Sequence, residues 1–169
     1  MLTWEVATMS NQPRRQSAAL AFDRDEWELI VTLPRRVLLA ALAEAPAAGR
    51  ATAEPIAGIE AIASGLASPS PLVREVVGSI YSENYREPGE LIGDGDVGAV
   101  QTLAACRYAS EVLGARCDPD DAAAYRLWVS HIAAVVTGVA QGAAAPARTG
   151  RVGLAESLFL YALGGVLRP

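Results

Sequence analysis

Residues 27–62, WELIVTLPRRVLLAALAEAPAAGRATAEPIAGIEAI, read as one helix, a short loop and a second helix, and this unit sets the expected architecture. Trp27, Ile30, Val31, Val37, Leu38, Ala41, Leu42 and Ala45 recur at the three- and four-residue spacing of a single helix face. Ala45-Pro46-Ala47-Ala48-Gly49 ends that helix, and Thr52 can cap the next, whose apolar face is expected at Ile56, Ile59, Ala63 and Leu66. Pro34 falls inside the first helix, where it removes a backbone donor, so a kink or a restart at a first-turn proline is expected. The unit occurs a second time. A helix from Tyr125 to Ala140 crosses Gly150-Arg151 and resumes at Ala155-Glu156 toward Val166, matching Trp27 to Ala45, Gly49-Arg50, and Ala53-Glu54 toward Ile62.

Outward from these hairpins the chain keeps helical punctuation. Ser70 followed by Pro71 is a start signal, and Leu72, Val73, Val76, Val77, Ile80 and Tyr81 then form the cleanest amphipathic stripe, with Arg74, Glu75, Ser79 and Ser82 opposite. Pro88-Gly89 and Gly93-Asp94-Gly95-Asp96 mark the longest internal loop. Val97, Val100, Ala104, Tyr108 and Val112 define a fourth helix, and Cys117-Asp118-Pro119 closes it and caps a fifth carrying Trp128, Ile132, Val135, Val136 and Val139. The last helix, Leu154 to Leu167, is apolar almost all round, which suits the middle of a bundle or a homodimer interface. The expectation is an all-α protein: residues 1–21 as an irregular arm, and residues 22–169 as one compact domain of six or seven helices with an internal hairpin duplication.

Composition narrows the function classes. With 169 residues, 51% of them hydrophobic, there is material for one sizeable core. All 14 basic residues are Arg and they are scattered; with a net charge of -5, no basic stripe exists to match nucleic-acid phosphates. The carboxylates instead collect where helices begin, at Asp23, Asp25, Glu26, Asp94, Asp96, Asp118, Asp120, Asp121 and Glu156, where they satisfy free amides and the helix dipole. Cys106 and Cys117 are too few for a disulfide framework; on one helix they would stand about 16 Å apart, so reduced thiols and a cytosolic location are expected. The apolar stretch ending at Asp23 is too short for an export signal. Leu127 to Ala147, the nearest candidate for a membrane span, is interrupted by Ser130, His131 and Gln141.

Few residues suggest chemistry. His131, the sole histidine, lies three residues after Trp128 and four before Val135, and is read as a packed core histidine, the alternative being a catalytic role with a nearby carboxylate. One histidine cannot supply two Glu-x-x-His motifs for a di-iron site, and neither Cys-x-x-Cys nor Gly-x-Ser-x-Gly is present. Gly93-Asp94-Gly95-Asp96 lacks the twelfth-position Glu of a calcium loop and is read as a turn with a helix cap. That leaves Glu44, Glu54 and Glu156 beside the hairpin loops. If the hairpins lie side by side, these carboxylates can converge on a hard divalent cation; otherwise they serve helix-end electrostatics.

A helix, a Gly-containing loop and a Glu-led second helix in both halves of a small all-α chain resembles the TerB-like tellurite-resistance proteins of bacteria. Ala48-Gly49 with Glu54 matches the first loop and Gly150 with Glu156 the second, although Ala48 and Thr149 stand where that family tends to present Asp. The resemblance implies a helical bundle, an association with tellurite or metal stress without a known catalytic reaction, and weak cation binding through Glu54 and Glu156. The other expectation is an interaction or structural module that homodimerises through its apolar C-terminal helix.

Overall fold

The computed structural model describes residues 17–44, 53–82, 98–138 and 154–168. Within them the chain is helical and without strands: α1 (Arg24–Glu44), α2 (Ala53–Ala63), α3 (Pro71–Ile80), α4 (Ala99–Arg116), α5 (Pro119–Val136) and α6 (Leu154–Val166), with 3-10 turns at Ala18–Ala21 and Ser64–Ala67. Both helix pairs of the expected duplication, α1 with α2 and α5 with α6, form and touch. The loops holding Gly49 and Gly150, the Gly93–Asp96 turn, Val97, Val139 and residues 1–16 lie outside the described residues.

Local chemistry explains where the helices start and stop. Asp23 caps α1 by accepting from the Glu26 amide at 2.8 Å, while Glu26 Oε2 accepts from the Asp23 amide at 3.0 Å, a reciprocal capping box. Phe22 and Trp27, on either side of that box, bring their rings to 5.7 Å and fix the entry angle of the chain. Ser70 caps α3 with Pro71 in its first turn, and Asp118 caps α5 with Pro119 in its first turn. At its other end α5 stops through Gly138, whose φ of +73° is the left-handed conformation glycine tolerates best. The end of the N-terminal arm is ordered by α3: Glu75 accepts from the Ser17 hydroxyl and the Ala18 and Ala19 amides, holding the first turn onto the bundle.

Two helices, α1 and α5, form the centre, and each touches every other helix. Here the structure corrects one expectation: α6 is not central. Among its described residues it buries Phe159 and Leu163, which with Leu167 just past its end form a single stripe at four-residue spacing laid on α1, α4 and α5, and it leaves Leu158 and Tyr161 exposed. A helix apolar on all sides was expected to need cover on all sides, yet an isolated exposed Leu or Tyr costs little by itself.

Pro34 neither restarts nor ends α1, which runs on for another ten residues to Glu44. Proline at this position leaves the carbonyl of Ile30, four residues earlier, without its helical donor. The Tyr125 hydroxyl of α5 supplies it, donating to the Ile30 oxygen at 2.7 Å in a fully buried setting. The proline thereby creates the acceptor that joins the two central helices.

The faces of α2 and α4 are also rotated from expectation. Ile56, Ile59 and Leu66 are more than half exposed, while Gly58, Ala61, Ile62 and Gly65 face the core. The cause is close approach. A Cβ on Gly58 would stand 2.2 Å from Leu38 Cδ1 and 2.9 Å from Val136 Cγ2; one on Gly65 would stand 2.7 Å from Val77 Cγ2 and 2.9 Å from the Trp128 indole. Small residues bring the α2 backbone near enough for Trp128 Nε1 to donate to the Ala61 carbonyl at 3.1 Å. In α4 the buried set is Thr102, Cys106, Ala109, Val112 and Leu113, leaving Val100, Ala104 and Tyr108 outside.

Two outcomes follow from this geometry. Tyr125→Phe leaves the Ile30 carbonyl buried without a donor and lowers unfolding free energy by about 1–3 kcal/mol. The same change costs measurably less in a Pro34→Ala background, where the residue-34 amide reaches that carbonyl; urea unfolding of the four proteins in the cycle measures the coupling. Gly65→Ala destabilises by about 1–3 kcal/mol, because the indole it meets is rigid, and more than Gly58→Ala, whose nearest neighbour is a swinging Leu38 methyl.

Candidate functional site

The carboxylates singled out in the sequence divide between the helix ends. Glu44 is the partly buried last residue of α1, Glu54 the second residue of α2 and Glu156 the third of α6; the side chains of Glu54 and Glu156 lie outside the described residues. Among the described residues no three His, Cys, Asp or Glu side chains gather closely enough to hold a metal ion. Several of the described acids are instead engaged in the architecture. Glu26, with Asp23 at its back, also takes Arg116 at 3.0 Å and ties the end of α4 to the start of α1. Asp121 accepts from Ser70 at 2.5 Å, linking the α3 cap to α5, and Glu75 holds the first 3-10 turn.

His131 is exposed, contrary to its reading as a core histidine. The core arc of α5 is Ala122, Tyr125, Val129, Ile132, Ala133 and Val136. Trp128, the residue used to place His131, sits at the edge of that arc, so three further residues carry the chain past the edge and into solvent. His131 is not among the residues that line the groove between α5 and α6.

The thiols are quiet. Burial pushes Cys106 up to about 12 from 9.0, with Arg36 partly opposing, and burial with help from Asp121 pushes Cys117 up to about 11. A thiol held protonated is a poor nucleophile and a poor metal ligand. Tyr125 is likewise raised well above 10.0, first by burial and then by Cys106, so its phenol stays protonated and remains a donor to Ile30.

What the helices do build is an open groove of about 230 Å³ between α5 and α6, lined by Ala123, Arg126, Leu127, Ser130, Gly164, Leu167 and Arg168. Its walls are mainly apolar, and Arg126 is already fixed, donating to Ser110 Oγ at 3.1 Å and to the Ser110 carbonyl at 2.9 Å. Leu127 is 74% exposed on one wall, and Tyr161, 85% exposed, lies one turn before Gly164 of the other. Reading the sequence for chemistry passed over these residues. Their signal was present: positions 123, 127 and 130 recur along one edge of α5, outside its core stripe.

The pH dependence of stability follows from the raised groups. A folded state that holds Cys106, Cys117 and Tyr125 protonated keeps its full contribution from them below pH 9.0, and loses it as pH climbs from 9.0 toward 12 and unfolded chains release those protons. Urea midpoints measured at pH 8, 10 and 11 therefore fall in that order, and Cys106→Ser shifts the decline. No protein family, curated protein or solved structure matches this chain.

Proposed function

We propose that the protein is a non-enzymatic helical module that acts by pairing with a second copy through the face formed by α5 and α6. The observation that supports this is an open, mainly apolar groove between two helices that both expose large apolar side chains: Leu127 on α5 is 74% exposed, and Leu158 and Tyr161 on α6 are 58% and 85% exposed. Exposed apolar side chains beside an apolar groove are a usual mark of an association site. Shallow walls and engaged carboxylates suit a partner surface better than a reacting small molecule. The same reading places the protein in the cytosol, where two free thiols stay reduced.

A TerB-like role with weak divalent-cation binding is the second reading, favoured by the packed helix pair that recurs as α1–α2 and α5–α6 with Glu54 and Glu156 early in each second helix. Isothermal titration with calcium, magnesium and zinc decides it. Heat that disappears in a Glu54→Ala, Glu156→Ala variant supports cation binding, and no heat with any of the three ions removes it.

For the pairing, sedimentation across a concentration range is the test. The expected result is a dimer that Leu127→Glu or Tyr161→Glu weakens by about tenfold or more, since truncating or charging a central apolar contact costs roughly 2 kcal/mol. Ile59→Glu, on the outer face of α2, leaves it intact. A chain that stays monomeric throughout, or one dissociated by Ile59→Glu and not by the other two, overturns the assignment.

A further inference from the structure

The register of this pairing, which rests on the association just described, is set by the outer stripe of α5. Asp120, Ala123, Leu127 and His131 are all exposed and are spaced three, four and four residues apart, which puts them along one side of the helix. The stripe is therefore acidic at its start, apolar in its middle and imidazole at its end, over about 16 Å of helix axis. Among the described residues neither the Asp120 carboxylate nor the His131 ring has an intrachain hydrogen-bond or ion-pair partner.

Such a stripe complements itself in only one direction. Parallel copies would place carboxylate against carboxylate and ring against ring. Antiparallel copies related by a two-fold axis place each acid against an imidazole and use both contacts twice, which is the logic of a closed two-fold interface. With the axis midway between positions 120 and 131, Leu127 of each copy falls beside Ala123 and Ala124 of the other. There a large side chain meets small ones, as close helix packing requires. Each chain carries a net charge of -5, so a contact that gives each carboxylate a ring N–H donor is favoured over one that sets acids together.

We propose that two copies pair antiparallel through these α5 stripes, with Asp120 of each facing His131 of the other across the Leu127 contact. The exposed edge of α6, with Tyr161 and Arg168, flanks the contact and closes over the groove.

Charge exchange tests the register. Sedimentation equilibrium of the full chain at neutral pH and low salt is compared for wild type, His131→Glu, Asp120→Arg and the double variant, with helix content checked by circular dichroism. Each single change is expected to raise the dimer dissociation constant about tenfold or more, and the double variant to return within about threefold of wild type. His131 is exposed, so His131→Glu folds and tests the contact even if Asp120→Arg disturbs the α5 cap. Singles that weaken the dimer without restoration in the double variant overturn direct pairing. A dimer weakened by Tyr161→Glu but indifferent to all three charge variants overturns the register while leaving the association standing. A chain monomeric at every concentration overturns both.

Discussion

The fold depends on one hydrogen bond that a proline makes necessary. Pro34 strips the Ile30 carbonyl of its helical donor in the most buried part of α1, and the Tyr125 hydroxyl restores it from α5. A buried carbonyl without a donor is expensive, so the two helices can approach in only one axial register. That register then positions everything attached to α5: Trp128 one turn on, edge to face with Tyr125 at 5.8 Å, reaches Ala61 and fixes α2, while Asp121 one turn back reaches Ser70 and fixes the start of α3. Each of these bonds ends on a different helix. The polar atoms of α5 thus specify the arrangement that its apolar atoms only drive.

Around that framework, helix spacing is controlled by what is absent from the side chains. Gly58 and Gly65 let α2 lie against Leu38, Val136, Val77 and Trp128 at distances no Cβ would allow. Small faces turned inward force larger ones outward, which is why α2 shows Ile56, Ile59 and Leu66 to solvent. Close backbone approach recovers in dispersion contacts part of what exposing those side chains forgoes.

This inversion explains how far the sequence could be read. Helix starts were legible because they rest on local chemistry: Asp23 with Glu26, Ser70 with Pro71 and Asp118 with Pro119 act within four residues of themselves. The faces of α1, α3 and most of α5 were legible because their large apolar residues cluster on one side. On α2 and α4, small residues such as Gly58, Ala61, Cys106 and Ala109 share the inner positions with Ile62, Val112 and Leu113 while Ile56, Ile59, Val100 and Tyr108 lie outside, and a rule that sends every large apolar residue inward picks the wrong face. His131 was misplaced by the same habit, through an anchor at the edge of the buried arc. The tie between Pro34 and Tyr125 joins residues far apart in sequence, and no periodicity carries such a pairing.

The candidate site is legible to a different degree, because it consists of residues that the core did not use. Of the carboxylates the sequence offers as ligands, Glu44 ends α1 and the side chains of Glu54 and Glu156 lie outside the described residues, while Glu26, Glu75 and Asp121 act as caps and cross-links to Arg116, the first turn and Ser70. The two thiols are desolvated and hold their protons. With Glu26, Glu75, Asp121 and both thiols committed to structure, the groups left for recognition lie on the surface, among them those of the α5–α6 face. There Asp120 and His131 lack intrachain partners at the two ends of an apolar stripe. A stripe whose ends complement each other gains most from a copy of itself, because a two-fold axis makes each favourable contact occur twice and needs no second gene product to supply it.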